Sequence, residues 1–119
     1  MAVTEFGKIL RKIRIDHNEV LLNMARKLEV TASYLSAVEN GKRNIPTAWL
    51  NLLPQIYSLP TQSAEELRQT ATAQMKSIKL DLDHVNKKRR DVALAFAQQI
   101  NELDDIVLEQ LKTIIIRKE

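Results

Sequence analysis

The residues that could perform acid–base, nucleophilic or metal chemistry are scattered along the 119-residue chain. The chain has no cysteine, and its two histidines, His17 and His84, are far apart and lack ligand-spaced neighbours. That pattern argues against a metal site. Asp104 and Asp105 are adjacent on a predicted helix and point apart, which is typical of a helix cap and not of a catalytic pair. We therefore predict a protein that is not an enzyme and that holds no cofactor.

Four consecutive cations, Lys87, Lys88, Arg89 and Arg90, form a dense basic run. They fall at the N-terminus of a predicted helix, where they oppose the helix dipole. Three interpretations stay open. The run is a second contact with an anion near a dimer axis, a solvated face that nearby aspartates partly neutralise, or a docking patch for an acidic protein.

Residues 20–43 are predicted to form two short helices joined by a tight turn, a shape that fits the major groove of DNA. Apolar residues recur at helical spacing in both halves of this segment. Thr31 is a suitable N-cap for the second helix, and Asn40-Gly41 can end it. Neither helix is long enough to be stable alone, so each must pack on the rest of a domain.

Further amphipathic helices follow from hydrophobic periodicity and from candidate cap residues, which are Thr4, Thr61 or Ser63, Asn86 and Asp104. They span residues 4–17, about 46–58, about 61–76, about 87–101 and about 105–117. Pro54 is expected to kink or split the second of these helices. The third has few large apolar residues, so we expect it at the surface. The predicted organisation is a first domain over 1–59, a surface helix or connector over 60–76, and a dimerisation region over 77–119.

Residues 77–83 change the period, because apolar and polar side chains alternate there in the manner of a half-buried strand. A lone strand leaves its backbone groups unpaired, and a second copy of the chain could supply an antiparallel partner. The alternative is an extended linker whose apolar side chains pack on helices. The predicted fold class is all-α, with at most one short strand that pairs across a dimer.

The two C-terminal helices carry much apolar surface for a small extension. Their apolar stripes either fold back on the first domain or form a dimer interface, and we favour the dimer. The predicted interface residues are Ile78, Leu80, Leu82, Phe96, Ile100, Val107, Leu111 and Ile114.

Composition and charge agree with a helical protein that meets an anionic partner. Aromatic residues make up 4% of the chain, and it holds only Gly 2 and Pro 3. Residues 1–59 carry eight Lys/Arg and five Asp/Glu, so the whole formal net charge of +3 lies in that half. This excess suits a face that binds phosphates. No stretch approaches the roughly 20 apolar residues of a membrane span, and no signal-peptide pattern occurs, so we expect a cytoplasmic protein.

The segment ARKLEVTASYLSAVENGKR, from Ala25 to Arg43, resembles the Cro/cI-like (XRE) family of bacterial and phage DNA-binding regulators. The likeness covers residues 5 to about 58, and it implies a five-helix, lambda-repressor-like helix-turn-helix domain followed by a helical extension. Its most specific elements are Ala25, Val30-Thr31, Leu35-Ser36 and the run from Val38 to Lys42.

The resemblance also implies a role for each matching position. Helix 31–39 would be the recognition helix, with Ala32, Ser33, Tyr34, Ser36 and Ala37 facing the bases. The residues beside the phosphates would be Thr31, Asn40, Lys42, Arg43 and Asn44. A capped helix N-terminus and basic side chains suit that second role, because both attract anions. Arg14 and Glu39 would form a structural ion pair between the first and third helices.

Three departures from the family pattern bear on recognition. Leu21 stands where Gln is common, and Glu29 stands where the tight turn usually has Gly. The base-facing positions also lack the Arg, Gln and Asn that make bidentate base contacts, each worth about 1–3 kcal/mol of discrimination. Sequence preference would then depend on DNA shape, water or dimer spacing.

Together these features predict a homodimeric DNA-binding transcriptional regulator, a repressor of a palindromic operator. The alternative is the antitoxin of a toxin–antitoxin pair, which binds its toxin through residues 60–119 and represses its own operon. The predicted partners are double-stranded DNA, a second copy of the chain and, in the alternative, a toxin or another regulator. The resemblance implies a bacterial or phage-encoded protein associated with the nucleoid, and no membrane partner is expected.

Overall fold

The computed structural model describes residues 3–117, and every regular element among them is an α-helix, with no strand. The helices are α1 Glu5–Asp16, α2 Leu21–Lys27, α3 Ala32–Glu39, α4 Trp49–Ile56, α5 Thr61–Gln74, α6 Lys87–Gln99 and α7 Asp105–Ile116. The all-α prediction is confirmed. The chain divides into two compact units, Met1–Lys79 and Leu80–Glu119. None of the described helices is long and apolar enough to cross a membrane.

Short polar side chains set where several helices begin. Thr4 Oγ1 accepts a hydrogen bond from the backbone N–H of Gly7 at 3.0 Å, and Thr31 Oγ1 accepts one from Tyr34 at 3.0 Å. In the second unit, the side chains of Asn86 and Asp104 cap α6 and α7 in the same way. Each of these residues satisfies a backbone donor that the helix itself leaves unpaired. These four predicted caps are confirmed, whereas neither Thr61 nor Ser63 caps α5, which follows Pro60 without a side-chain cap.

The first unit has a core that all of its helices build. Its largest fully buried apolar side chains are Phe6, Leu10, Met24, Leu35, Leu53, Leu67 and Val38. α1 packs on α3 and α5, α2 packs on α3, and α4 packs on α5. The helices from α1 to α5 therefore pack as one unit, although α2 and α3 are each too short to persist alone.

α5 differs from the surface helix or connector predicted over 60–76. It buries Ala64, Leu67 and Ala71 in the core, and the side-chain oxygen of Gln74 accepts a hydrogen bond from the backbone N–H of Phe6 at 3.3 Å. The first unit accordingly extends to Lys79 instead of ending at residue 59. The sequence did not predict this packing, because two of the three buried side chains on α5 are alanines, which do not mark a large apolar face.

Two connections differ from the sequence prediction. α4 begins at Trp49 and not at residue 46, because residues 47–48 form a turn, and it continues through Pro54 as one helix. The split considered at Pro54 therefore does not occur. Residues 75–82 form neither helix nor strand. Because a strand requires a partner, the pairing of residues 77–83 with a second copy stays a prediction.

The second unit has no buried residue in its described part, residues 80–117. All eight predicted interface residues are exposed or half-buried; Ile78 is 72% exposed and Ile114 is 69% exposed. In proteins, most helical stability comes from packing an apolar face. Within the described chain, α6 and α7 obtain only the part of that contribution that half-buried side chains give.

Candidate nucleic-acid interface

A hydrogen-bonded turn joins α2 to α3. The backbone N–H of Val30 donates to the carbonyl of Ala25 at 3.0 Å, and that of Glu29 donates to Arg26 at 3.1 Å. This pair of bonds is a Schellman motif, which requires a left-handed residue after the helix. Glu29 fills that position with φ 58°. It therefore adopts the conformation that favours glycine, and the turn keeps its shape at a cost in strain.

The open face of α3 carries small side chains. Leu35 and Val38 point into the core. On the other side, a shallow surface depression is lined by Leu21, Ala32, Ser33, Ser36, Ala37, Asn40 and Lys42. The structure thus brings together four of the predicted base-facing residues, all except Tyr34. Their side chains are short enough that the α3 backbone itself could approach a base pair closely.

Tyr34 points toward α4 and positions a cation. Its ring meets Trp49 edge-on, with ring centroids 6.2 Å apart. The guanidinium of Arg43 lies over the Tyr34 ring, 5.4 Å from its centroid. A cation attracted to an aromatic face is held in place by that contact. Tyr34 therefore orients Arg43, a role that the sequence pattern did not indicate.

A second Schellman motif ends α3 as predicted. The N–H of Lys42 donates to the carbonyl of Ala37 at 2.9 Å, and that of Gly41 donates to Val38 at 3.1 Å. Gly41 has φ 76°, and Asn40 is the C-cap. The chain turns away from the helix at this point, which leaves the side chains of Lys42 and Arg43 exposed just beyond its end.

Lys42 and Arg43 share a groove of about 360 Å³ with the end of α5. Its lining residues are Thr4, Gly41, Lys42, Arg43, Asn44, Ile45, Gln74, Lys76 and Ser77. Lys76 adds a third cation that the sequence did not identify, because it lies far from Lys42 along the chain. An anion in this groove would meet positive charge from two separate segments.

Asn44 lies in the same groove but is bonded within the chain. Its side-chain N–H groups donate to the backbone oxygen of Ser77 at 2.8 Å and to the Ser77 hydroxyl at 3.0 Å. These bonds fasten the loop after α3 to the segment after α5. The amide nitrogen of Asn44 is thus bonded within the chain, and its contact with a phosphate stays a prediction.

A buried ion pair fixes the end of α3 to α1. Arg14 Nη1 and Nη2 bond the two carboxylate oxygens of Glu39, the second at 3.2 Å. Arg14 is 8% exposed and Glu39 is 1% exposed. The backbone N–H and hydroxyl of Thr4 also donate to the carbonyl oxygen of Glu39, each at 3.0 Å. The predicted ion pair is confirmed, and the two-pronged geometry makes it directional.

A second polar cluster ties the start of α2 to the residue after α4. The Tyr57 hydroxyl donates to Glu19 at 2.7 Å, Lys27 pairs with the same carboxylate, and the Lys27 ammonium lies 4.8 Å from the centroid of the Tyr57 ring. Burial alone would raise the pKa of Glu19, but the hydrogen bonds from Lys27 and Tyr57 and the nearby positive charge lower it overall. Burial, with the Glu19 charge, raises the pKa of Tyr57.

The basic run of α6 belongs to the second unit. Lys87, Lys88, Arg89 and Arg90 are all exposed, and the Lys87 ammonium lies 2.8 Å from the carboxylate of Asp91. Its role as a second anionic contact stays a prediction. Within the described residues, no cluster of His, Asp or Glu could hold a metal ion.

Comparisons of the chain with protein-family models, with curated proteins and with solved structures found no match. The likeness to the XRE family therefore stays a resemblance, which the residues between Ala25 and Arg43 carry.

Proposed function

We propose that the protein is a homodimeric DNA-binding transcriptional regulator of helix-turn-helix type, which represses transcription by occupying a palindromic operator. α3 enters the major groove as the recognition helix, and α3 of a second copy enters the next groove, about 34–36 Å away. One observation carries the proposal. The open face of α3 lies between a capped N-terminus at Thr31 and the exposed cations Lys42 and Arg43.

Phosphate contacts supply most of the affinity in this proposal. The N-terminus of α3 offers backbone N–H groups and a positive dipole end to one phosphate. Lys42 and Arg43, with Lys76 across their shared groove, neutralise others. Each neutralised phosphate releases counterions, so binding weakens as salt rises. The contact between Arg43 and Tyr34 supports this role, because it presets the guanidinium before DNA arrives.

Base reading is expected to be modest. Ala32 and Ala37 offer apolar contact, which suits thymine methyl groups, whereas Ser33 and Ser36 can bond either donors or acceptors. DNA shape and the spacing of the half-sites would then contribute much of the preference. A dimer strengthens two weak half-sites together, because the second contact becomes intramolecular once the first has formed.

An antitoxin is the second candidate function, and the second unit favours it. The described residues 80–117 bury no side chain, and exposed apolar residues such as Val92 and Ile106 could be covered by a toxin. The apolar face of α5 is buried in the core of the first unit, so it is not free to bind a toxin. The toxin-binding surface would accordingly lie beyond residue 79. A toxin gene beside the gene for this chain would favour this candidate.

The proposed function is tested by competition between two DNA duplexes. Full-length protein is titrated into a labelled duplex from the region upstream of its own gene, with unlabelled duplex of the same or random sequence as competitor. We expect the upstream sequence to compete at least tenfold better than the random one, at the low end of specificity ratios for DNA regulators. Equal competition by both duplexes would contradict a sequence-specific regulator.

A further inference from the structure

The start of α6 and the residues that follow its end carry opposite net charges. Four cations, Lys87 to Arg90, and one acid, Asp91, precede an apolar stretch that contains Phe96. Three acids, Glu102, Asp104 and Asp105, follow it. All of these charged side chains are exposed.

The two charged ends cannot neutralise each other within one copy. α6 contains 13 residues, and at about 1.5 Å per residue it separates the basic end from the acidic end by roughly 20 Å. Exposed charges separated by more than about 10 Å are largely screened at ordinary salt. The cations also oppose the dipole of their own helix, so acidic side chains from elsewhere would stabilise that end.

The cations border an apolar stripe on α6. Val92, Phe96 and Ile100 follow one another at intervals of four residues, so they share one face of the helix. Val92 is 64% exposed and Phe96 is 43% exposed, so α7 of the same copy leaves this stripe largely uncovered. The stripe and its charged ends together form one surface, whose apolar residues are largely uncovered and whose Lys87 pairs locally with Asp91 at 2.8 Å.

We propose that α6 pairs antiparallel with α6 of a second copy, around a twofold axis at Phe96. This arrangement sets Phe96 against itself and Val92 level with Ile100 of the other copy. It also brings the basic start of each α6 beside the acidic residues, Glu102, Asp104 and Asp105, that follow α6 of the other copy. Packed helices lie about 8–10 Å apart, which these long side chains can span. A twofold axis repeats every contact, so both basic ends meet acidic ends.

The occupant is a second copy, because the same surface, turned about a twofold axis, offers an acidic end to each basic end and an apolar stripe to the facing stripe. The pairing deepens the dimer of the proposed function, on which it rests, and gives a role to the basic run. It needs no DNA, so its test is independent of operator binding. If DNA binding succeeds and the pairing fails, only this inference falls.

Cysteine cross-linking tests the axis. The chain contains no native cysteine, so Phe96→Cys introduces the sole thiol. A residue on a twofold axis meets itself, and a disulfide forms only when the two Cα atoms lie within about 7 Å. Under mild oxidation the Phe96→Cys chain is expected to run as a covalent dimer. The matched control is Leu94→Cys, which points to the opposite side of α6 and is expected to stay monomeric on a non-reducing gel. Cross-linking of both variants to the same extent, or of neither, overturns the proposed axis.

Charge reversal tests the pairing. Lys88→Glu/Arg89→Glu reverses the two central cations of the basic end and gives both ends a net negative charge, whereas Glu102→Lys/Asp105→Lys gives both ends a net positive charge. Each variant alone is expected to form homodimers roughly tenfold or more weaker than wild type, because several attractive pairs become repulsive. An equal mixture of the two variants is expected to dimerise again, since unlike ends then meet. Sedimentation equilibrium at low salt, without DNA, measures the dimerisation of each variant and of their mixture.

The control for charge reversal is Lys12→Glu/Arg26→Glu, which changes two exposed cations of the first unit. It is expected to dimerise as wild type does. Circular dichroism checks that each variant keeps its helices. Should a reversed variant not fold, the wild-type dimer is measured between about 50 mM and 500 mM salt, where it is expected to weaken. A monomeric wild type, a salt-independent dimer, or a mixture that fails to dimerise overturns the proposal.

Discussion

The guanidinium of Arg14 and the carboxylate of Glu39 form a two-pronged ion pair that joins the first helix to the end of the third. Arg11 lies beside it, with its Nε 3.6 Å from Glu39 Oε1. The pair is nearly inaccessible to solvent, so each charge depends on the other. Because Glu39 immediately precedes the turn that bears Lys42 and Arg43, the pair also holds the candidate interface in position.

Glu39→Gln is expected to destabilise the protein by about 3 kcal/mol or more, because it leaves the buried Arg14 charge uncompensated. Urea denaturation followed by circular dichroism measures the change. The matched control is Glu5→Gln, which breaks the exposed pair between Glu5 and Lys8. The control is expected to change stability by less than about 0.5 kcal/mol. Similar losses in the two variants would mean that the Arg14–Glu39 pair does not hold the fold.

Gly7→Ala is expected to be far more damaging than Gly41→Ala. A Cβ atom at residue 7 would lie 2.4 Å from the backbone oxygen of Glu39, and neither helix can easily move. At residue 41 it would lie 3.0 Å from a Thr4 side-chain methyl, and the cost there comes mainly from φ 76°. We expect a loss of about 1 kcal/mol for Gly41→Ala and at least twice that for Gly7→Ala. Thermal unfolding of the two variants, measured side by side, checks this order. A larger loss of stability in Gly41→Ala than in Gly7→Ala would contradict the close approach of α1 to α3.

Glu29→Gly is expected to stabilise the protein by about 0.5–1 kcal/mol. Glycine relieves the left-handed strain at φ 58°, although its flexible unfolded chain offsets part of the gain. Asn18→Gly serves as the control, because Asn18 also has a positive φ, 55°, but asparagine tolerates that region. The control is expected to gain little or nothing. A loss of stability in Glu29→Gly would show that the Glu29 side chain contributes more than its backbone costs.

Local features of the fold were predictable from the sequence, and contacts between distant segments were not. Thr4, Thr31, Asn86 and Asp104 marked helix starts because a cap acts within three or four residues of itself. The bond between Asn44 and Ser77 joins residues 33 positions apart, and no local pattern encodes it. For the same reason, the sequence did not predict that Lys76 lies in the groove with Lys42 and Arg43.

The resemblance contributed what periodicity could not. It pointed to the Arg14–Glu39 pair, which spans 25 positions and which helical spacing alone does not suggest. It placed Tyr34 near the bases, whereas the structure packs the Tyr34 ring between Trp49 and Arg43. Aromatic packing of this kind depends on where α4 lies, and that position follows from the complete core.

Glu19 is expected to make stability depend on pH. Its pKa is lower in the folded chain than its usual value of 4.5. The stabilisation is therefore present above that usual value and is lost as pH falls through the lower, folded value. Relative to Glu19→Gln, the wild type is expected to be more stable by about 1 kcal/mol at pH 7 and to lose this advantage in acid. Denaturation at pH 7, 5 and 3 measures the difference, and Glu65→Gln on the exposed side of α5 is the control. An advantage that persists unchanged at pH 3 would contradict the assignment.

The salt dependence of DNA binding tests the central claim most directly. Fluorescence anisotropy gives the affinity of wild type, Arg43→Ala and Lys12→Ala for one duplex at several salt concentrations. Lys12 is exposed on the solvent side of α1 and supplies the matched control. If Arg43 binds a phosphate, its removal weakens binding to all sequences and reduces the slope of log affinity against log salt by about 1, while Lys12→Ala matches wild type. Identical affinities and slopes for all three proteins would contradict the proposed interface.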